Sequence, residues 1–455
     1  MKAARRAVAL AGTFVALGCG DKAESFAPSA VQAAPNPNVA TLTQVAWTTS
    51  QPSIGYVSYG LTESLGKTTA VESQDATIHR VSLYGLTPNT RYYYQVVTWD
   101  GRNAGESPIQ NVTTGATPST VPAFSFTGDT SETGMDELLL LPVTAGANPV
   151  VVVVTPSAQV LWYHVEDRMR TVTRARFSSD KTSVLYNAID AGGDSELVRV
   201  ALDGSSQSSV KVKDLGPDFV ELANGNYAAI AADSRDSGGK TLRGDKIVEV
   251  TQTGTSTDVI SMWDCFDPAK FPGDGTNGEW TGADALSVSE GADGEGDDVF
   301  YLGLRDLSTV VQSARGSGKC DWVLGAAAPT LTFTTPTDAF VHQGGLVLSG
   351  SSVLVLDADG AGATTSRAMQ YALDLTAKTA TTSWSYVPTS PVHVSSLGSV
   401  SALTGKRWLV NWSTAGKLEL VDDMNRVLWS LTGPLGATFG YHVRADSIDA
   451  PENKP

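Results

Sequence analysis

Residues 424–431, MNRVLWSL, place a turn directly before a short apolar strand that carries Trp429. The same order of turn, strand and tryptophan recurs in SAQVLWYHV, TSTDVISMWD, SGKCDWVLG and KTATTSWSYV, at Trp162, Trp263, Trp322 and Trp384. The intervals are 101, 59, 62 and 45 residues, and the first is long enough for two units. DGSSQSSVKVKDL, near residue 210, supplies a turn and a strand in that gap. Six units of roughly 45–60 residues have the length of four-stranded propeller blades.

We therefore predict an all-β chain in which residues 117–455 form a six-bladed β-propeller. A stacked sandwich and a β-helix are the structural alternatives, although the period is too long for a β-helix coil. The 44 glycines, 13 tyrosines and 10 tryptophans among 455 residues favour many short strands joined by tight turns. With 41% hydrophobic and 18% charged residues, the chain can build sizeable cores in two or three domains.

The N-terminus has the pattern of an export signal. Three basic residues, Lys2, Arg5 and Arg6, precede an apolar stretch at residues 7–17 that is too short to span a membrane. The stretch ends ALGC, which resembles a bacterial lipobox, and this implies cleavage of residues 1–18 and lipidation of Cys19. An ordinary secretory signal with a chance cysteine is the alternative. We expect an exported protein that is anchored in the cell envelope by its lipid, with residues 19–36 as a polar tether.

The charge and the cysteines limit the possible partners. The formal net charge is −16, and it becomes −19 when the three basic side chains of residues 1–18 are removed. A chain so acidic repels nucleic acid, so we exclude nucleic-acid binding. Cys265 and Cys320 are expected to form a disulfide in an exported protein, with two separate buried thiols as the alternative. No CxxC or Cys/His cluster occurs, and we expect no metal and no cofactor.

Residues 37–116 alternate strands and turns, and the stretch LTPNTRYYYQV resembles the tyrosine-corner strand of fibronectin type III domains. Leu86, Pro88, Thr90 and Tyr92 lie at the spacing of that family, and Trp47 supplies the expected core tryptophan. IGYVSYG and HRVSLYGL also resemble the N-terminal sandwich of purple acid phosphatases, but no metal-ligand motif of that enzyme follows. The resemblance implies a sandwich that serves as a spacer or docking module. His79 is expected on the surface of one strand.

Five segments of the propeller region resemble the arylsulfotransferase family, in the family's order. They are DFVELANGNYAAI, KIVEVTQTGTSTDVISMWD, VFYLGLRDLSTVV, VLVLDADGAGATTSRAMQYALD and the run from SSLGSV to NRVLW. That family consists of exported six-bladed propellers that move a sulfuryl group from a phenolic sulfate to another phenol. The resemblance implies funnel histidines, one of them transiently sulfated, and an arginine that stabilises developing charge.

The expected histidine positions are largely lost. In the family, the segment that matches WTGADA has a histidine where this chain has Gly282, and an asparagine where it has Asp284. The histidine expected before Asp218 is Pro217. The third position falls on Gln343 or Gly344, and a small shift in register would place His342 in the funnel. Neither glycine nor proline can carry a proton or accept a sulfuryl group.

Two arginines match family positions, Arg305 in LGLRDLS and Arg367 in TSRAMQY. The other histidines of this region, His164, His393 and His442, are interpreted as ordinary strand or loop residues, with a His342–His442 pair in the channel as an alternative. The acidic stretches GADGEGDD (291–298) and DADGAG (357–362) favour turns over calcium sites.

The sequence thus supports three hypotheses. The first is a lipid-anchored propeller that has lost its reaction and binds a ligand, namely a phenolic or sulfated small molecule or an envelope protein. The second is a divergent aryl-sulfate sulfotransferase that uses His342 with Arg305 and Arg367. The third is a structural surface module in which the sandwich makes the contacts.

Overall fold

The computed structural model describes residues 27–130, 137–291, 297–360, 364–445 and 448. Within these ranges the chain is all-β: an N-terminal sandwich is followed by a six-bladed propeller, as predicted from the tryptophan spacing. No described helix is long and apolar enough to cross a membrane. The helical elements of the described ranges are four single 3₁₀ turns, η1 (Met262–Asp264), η2 (Arg305–Leu307), η3 (Pro336–Asp338) and η4 (Ser413–Ala415).

The sandwich contains seven strands: β1 (Ser29–Pro35), β2 (Thr43–Gly60), β3 (Lys67–Thr68), β4 (Ala76–Leu83), β5 (Arg91–Trp99), β6 (Ala104–Glu106) and β7 (Gln110–Thr113). The strands form two sheets, and the 18-residue β2 belongs to both of them. Its first half pairs with β1 and β4, and its second half pairs with β3 and β5. Alternate residues of each half point into the shared core, the pattern of a sandwich strand.

Strand β1 corrects the predicted tether. Residues 19–36 were expected to be an unfolded spacer, yet Ser29–Pro35 pair with β2, and Val31 and Ala33 pack on the sandwich core. The many alanines and prolines conceal a strand here because Pro35 stands at its end, where a missing N–H costs little. Residues 1–26, with the predicted signal and Cys19, lie outside the described ranges.

Two sandwich residues lie where the fibronectin resemblance implies. Trp47 is buried in the core, and the Tyr92 hydroxyl accepts a hydrogen bond from the Thr87 backbone N–H at 3.0 Å, which fixes the tyrosine corner. His79 was expected on the surface, and this was wrong. It is 1% exposed because it lies opposite Trp47 in the strand register and stacks on its ring at 4.8 Å. Glu72 and Thr49 bind its two ring nitrogens.

The propeller strands fall into six sheets, named here as blades in chain order. Blade 1 contains β9 (Leu138–Thr144), β10 (Val150–Val154) and β11 (Val160–Val165). Blade 2 contains β12 (Ala175–Phe177), β13 (Ser183–Ala188), β14 (Glu196–Ala201) and β15 (Gln207–Lys211). Blade 3 contains β16 (Leu215–Glu221), β17 (Tyr227–Ser237), β18 (Lys240–Val250) and β19 (Ser256–Ser261).

Blade 4 contains β20 (Ala283–Ser289), β21 (Val299–Leu304), β22 (Thr309–Ala314) and β23 (Trp322–Gly325). Blade 5 contains β24 (Thr332–Phe333), β25 (Gly344–Ser349), β26 (Ser352–Asp357), β27 (Arg367–Asp374) and β28 (Thr379–Tyr386). Blade 6 contains β29 (Ser399–Leu403), β30 (Arg407–Asn411), β31 (Lys417–Asp422) and β32 (Val427–Thr432).

The ring closes at two places. Strand β8 (Ser125–Gly128), which precedes blade 1 in the chain, pairs with β32 and adds an outermost strand to blade 6. Strands β33 (Thr438–Phe439) and β34 (Val443–Ala445), which follow blade 6, pair with β9 and supply the innermost strand of blade 1. Each end of the propeller segment is thus built into the blade formed by the other end.

The cores of the propeller lie between neighbouring blades, so the middle strands are buried on both faces. In β10, Val150, Val152 and Val154 pack toward blade 6, whereas Val151 and Val153 pack toward blade 2. This explains why that strand is five consecutive valines rather than an alternation of apolar and polar residues. Among the described residues, four further apolar clusters lie between neighbouring blades in the same way, and a fifth forms the separate core of the sandwich.

Candidate functional site

The residues at the expected catalytic positions converge at one end of the propeller axis. Thr173 Oγ1 donates to the carbonyl of Pro217 at 2.7 Å, and the Arg174 guanidinium lies 4.2 Å from the ring centre of Tyr441. The Tyr441 hydroxyl donates to the carbonyl of Asp284 at 3.0 Å. These residues lie near the starts of the innermost strands of their blades. We call this end of the propeller axis the slot end.

Gly282 has a backbone that a histidine cannot adopt without strain. Its φ of +57° lies in the left-handed region, and a Cβ added there would meet the Asp306 carboxylate oxygen Oδ2 at 2.5 Å. The Gly282 carbonyl also accepts the backbone N–H of Arg305 at 3.0 Å, which holds the turn in this shape. The side chain of Asp306 therefore occupies the direction in which the expected imidazole would leave the backbone.

The other two expected histidine positions also lack an imidazole. Pro217 contributes its carbonyl to the Thr173 hydroxyl and has no donor of its own. Gln343 is 0% exposed, and its Nε2 donates to the carbonyl of Thr309 at 2.9 Å. At Gly344 an added Cβ would lie 3.1 Å from the carbonyl oxygen of Gly398, so little room exists for a larger side chain.

His342 lies beside these positions, and both of its ring nitrogens face carboxylates. Nδ1 is 2.5 Å from Asp359 Oδ2, and Nε2 is 2.7 Å from Asp274 Oδ2. The other oxygen of Asp359 is 2.7 Å from His393 Nε2, so one carboxylate joins two histidines. Burial alone would raise the pKa of Asp359, but its hydrogen bonds to His393 and His342 outweigh burial and hold the pKa below its usual range. We call Asp274, His342, Asp359 and His393 the mouth cluster.

The two arginines that match family positions are both paired with acids. Arg305 Nη1 lies 3.2 Å from Asp306 Oδ1, and Arg367 Nε lies 2.6 Å from the buried Asp357 Oδ2. Burial raises the pKa of Asp306 in spite of the neighbouring Arg305 charge. Arg367 Nη2 also donates to the carbonyl of Ala339 at 3.0 Å, so it serves to hold a loop. Neither arginine presents an uncompensated charge to an anion.

A buried ion triad near the slot end was not predicted from the sequence. Arg174 binds Asp218 through two bonds of 2.7 Å, and Arg176 Nη2 lies 3.2 Å from the same carboxylate. Burial would raise the pKa of Asp218, but the two guanidinium groups lower it below its usual range. The sequence RARF (174–177) indicates that the two arginines of this triad lie together, because residues i and i+2 of a strand share one face.

Asp284, at the expected asparagine position, has no such partner. It is 9% exposed, and its Oδ1 has no hydrogen-bond donor within the described part of the chain. Burial raises the pKa of Asp284 to about 8, although the Arg305 charge opposes this effect. The Oε1 of Gln343 also lacks a donor there.

The remaining histidines have structural surroundings. His442 is buried, with its two ring nitrogens 3.2 Å from Ser399 Oγ and 3.0 Å from Ser401 Oγ, so it does not share its partners with His342. Burial, with Arg174 and Arg444 nearby, lowers the pKa of His442 to about 3. His164 lies between the rings of Trp162 and Tyr186, and burial lowers its pKa. No hydrogen bond links His342 to His442 in the structure.

The remaining predictions concern the disulfide, the two acidic stretches and metal sites. Cys265 and Cys320 form a disulfide. Asp357 accepts the N–H groups of Val341 and Gly360, as expected for a turn, whereas most of the stretch 291–298 lies outside the described ranges. Among described side chains, no group of three or more His, Cys, Asp or Glu is arranged to hold a metal.

A cavity of about 440 Å³ opens at the opposite end of the axis, where the inner strands finish. Its wall carries three cations, Arg176, Lys181 and Arg444, together with Glu137 and Glu221. Arg444 pairs with Glu137 at 2.6 Å, and Arg176 binds Asp218 and the carbonyl of Phe219. The cavity is thus of mixed charge and distinct from the slot end.

Comparison with known protein families agrees with both parts of the fold. Residues 28–114 match the family model described as purple acid phosphatase, N-terminal domain. Residues 133–335 match the family model described as arylsulfotransferase (ASST). A search of curated protein sequences found no match.

Among solved structures, the chain is similar to TolB from Acinetobacter baumannii, with 9% identity, a TM-score of 0.39 and coverage of 78% of this chain and 79% of that one. A streptogramin B lyase shows 11% identity and a TM-score of 0.35 over 70% of this chain and 95% of the other. A putative 6-phosphogluconolactonase from Bacteroides uniformis shows 10% identity and a TM-score of 0.37 over 87% and 100%. At these TM-scores the likenesses carry no argument about this chain.

Proposed function

We propose, for a chain that carries an arylsulfotransferase-family propeller behind a purple acid phosphatase-type N-terminal domain, that the propeller binds a ligand or a protein partner without catalysis. The observation that carries this proposal is the geometry of Gly282. The residue expected to be a histidine has a left-handed backbone, and a Cβ added there would lie 2.5 Å from an Asp306 carboxylate oxygen. With Pro217 at the second position and Gln343 or Gly344 at the third, none of the three expected positions carries an imidazole that accepts a sulfuryl group.

The charges of the site also disfavour an aryl sulfate. Sulfuryl transfer requires cations that face the sulfonate oxygens. Here Arg174 and Arg176 are paired with Asp218, and Arg305 is paired with Asp306. The mouth cluster adds two further carboxylates, Asp274 and Asp359, on either side of His342. A sulfate ester that approaches this surface is repelled rather than held.

We further propose that the protein acts in the bacterial cell envelope as a lipoprotein. The support is the sequence of residues 1–19, where a basic segment, an apolar stretch and ALGC resemble an export signal with a lipobox. A lipid on Cys19 would hold the sandwich near the membrane and the propeller beyond it. The disulfide between Cys265 and Cys320 suits an oxidising compartment.

The test of the catalytic claim is a sulfotransferase assay on protein that lacks residues 1–19. Release of a coloured phenol from an aryl sulfate is measured with and without a second phenol as acceptor. An arylsulfotransferase that retains its three histidines serves as the positive control. We expect no acceptor-dependent release from the wild type, from His342→Ala or from Gly282→His, because a side chain at position 282 meets the Asp306 carboxylate as well as a left-handed backbone.

Acceptor-dependent release by the wild type that is lost in His342→Ala would overturn the proposal. It would show a divergent sulfotransferase in which His342 acts with Arg305 and Arg367. Release that is gained in Gly282→His would show that the slot end retains the rest of the catalytic machinery, and that only the histidine is missing.

A further inference from the structure

Asp284 is a buried acid whose hydrogen bonding is incomplete. It stands near the start of β20 with its carboxylate against two glycines: an added Cβ at Gly303 would meet Oδ1 at 2.8 Å, and one at Gly344 would lie 3.7 Å from Oδ2. The Tyr441 hydroxyl is 3.4 Å from Oδ2, but its single hydrogen points to the closer backbone carbonyl at 3.0 Å. The backbone N–H of Gly345 also faces the carboxylate. Oδ1 receives no donor from any described residue.

Gln343 places a second unpaired oxygen in the same region. Its amide nitrogen donates to the carbonyl of Thr309, which fixes the orientation of the amide because a carbonyl oxygen accepts only from a donor. Oε1 is therefore the atom left without a donor among the residues described. The side chain is fully buried, and its Nε2 lies 3.8 Å from the position of an added Cβ at Gly303. The Asp284 carboxylate and the Gln343 amide group thus border the same glycine.

No described cation forms an ion pair with Asp284. The Arg305 guanidinium acts on it electrostatically but pairs with Asp306, and Arg174 and Arg176 pair with Asp218. A buried carboxylate that is neither paired nor fully hydrogen-bonded costs several kcal/mol, and the common solutions are a bound cation or protonation. One carboxylate with a neutral amide oxygen supplies a single negative charge, whereas calcium sites use several carboxylates.

We propose that Asp284 and Gln343 bind a monovalent metal cation at the slot end of the propeller axis, through Asp284 Oδ1 and Gln343 Oε1. The cation neutralises the carboxylate and gives each unpaired oxygen a partner. This inference goes beyond the proposed function, because it requires neither a ligand or partner bound to the propeller nor the absence of catalysis. Either claim can fail while the other stands.

The test compares urea unfolding of the protein lacking residues 1–19 in sodium chloride and in tetramethylammonium chloride of equal concentration, at about pH 9, where carboxyl groups are ionised. Truncation removes no described residue. We expect the wild type to be more stable in sodium, with a midpoint that rises with sodium concentration as binding to the folded state requires. In Asp284→Asn the apparent dissociation constant for sodium should rise roughly tenfold or more.

Two further variants keep the test decisive. Gly303→Ala has no left-handed backbone to strain, and its methyl group lies 2.8 Å from Oδ1, so it should also abolish the sodium effect. Asp258→Asn removes one negative charge from an exposed strand residue and should leave the effect intact. Equal midpoints in the two salts for the wild type would overturn the proposal and show that a proton or water satisfies Asp284. A sodium effect that survives in Asp284→Asn and Gly303→Ala would overturn it as well.

Discussion

At the scale of single residues, Gly282 shows how local structure opposes a histidine at the slot end. Its backbone has a φ of +57°, and the Asp306 carboxylate lies close to it. A histidine placed there now meets both a strained backbone and a carboxylate, and such positions cost on the order of 1–3 kcal/mol. The local structure, and not only the residue type, therefore disfavours an imidazole at position 282.

His442 should make the stability of the protein sensitive to acid. Its folded pKa of about 3 lies below its ordinary value of 6.5, so between these values the unfolded chain binds the proton and the folded chain does not. The free energy of unfolding should therefore fall as pH decreases below about 6.5, with a slope from this group that approaches 1.4 kcal/mol per pH unit. Urea unfolding of the wild type and His442→Gln from neutral pH to about pH 5 measures the slope.

The glutamine variant keeps a polar side chain beside Ser399 and Ser401 but has no proton to bind in this range. Its profile should be flatter than that of the wild type below about pH 6.5. Parallel profiles would show that His442 titrates normally in the folded state, and the depressed pKa would then be wrong. The slope and not the absolute stability decides the question, because only the slope reports the proton that His442 binds.

At the residue scale the sequence supplies residue identities better than contacts. That positions 217, 282 and 344 carry no histidine can be read directly from the sequence, whereas the role expected at these positions rests on the family resemblance alone. The burial of His79 depends on the register that sets it opposite Trp47, and the Arg174–Asp218 pair joins residues of different blades. Such contacts follow from tertiary packing, and short-range patterns do not contain that information.

At the scale of elements, the tryptophan units correspond to real parts of the blades. Trp162, Trp322, Trp384 and Trp429 lie in β11, β23, β28 and β32, toward the outside of their blades, and Trp263 follows β19 in η1. The unit without a tryptophan ends in β15, the outer strand of blade 2. Six blades could be counted because an outer strand recurs once per blade. Residues 29–35 of the predicted tether form β1, which the sequence did not reveal because this strand has few strongly apolar residues and pairs with a partner later in the chain.

The disulfide joins two neighbouring blades. Cys265 follows η1 of blade 3, and Cys320 precedes β23 of blade 4, 55 residues later. Closing a loop of that length should stabilise the fold by about 2–4 kcal/mol through the entropy of the unfolded chain. We expect a Cys265→Ser, Cys320→Ser double variant to lose this amount in urea unfolding. Reductant should lower the wild type to the same midpoint and leave the variant unchanged. A wild-type midpoint that does not change with reductant and equals that of the double variant would contradict the prediction.

At the scale of the whole molecule, the sandwich is packed firmly on the propeller. Val39 and Leu42 join the apolar core that contains Trp162 of blade 1 and Val184 of blade 2. The Tyr163 hydroxyl accepts the Ala40 N–H at 2.9 Å, and Asn36 donates to the carbonyl of Asp203 at 2.6 Å. An interface with a buried apolar centre and satisfied hydrogen bonds favours a fixed arrangement of the two domains over a flexible one.

Leu42→Asp should uncouple the two domains. Leu42 is 1% exposed, so an aspartate there buries an unpaired charge at the interface and should cost several kcal/mol. Scanning calorimetry should show the sandwich unfolding at a lower temperature than in the wild type and separately from the propeller. Leu61→Asp makes the same change at a sandwich residue that is 61% exposed, and it should leave the trace unchanged. Equal traces for the wild type and Leu42→Asp would mean that the interface does not couple the domains.

The double closure of the ring has a consequence for the order of synthesis. Strand β9 emerges from the ribosome early in the propeller, but its inner partners β33 and β34 are the last strands described. Until they are made, the edge of β9 and its run of buried leucines have no cover, and such an open edge invites pairing with other chains. Blades 2 to 5 can form as the chain grows, whereas blade 1 must wait for residue 445. A nascent chain stalled shortly before that point would therefore carry five nearly complete blades and one uncovered strand edge that is open to pairing with other chains.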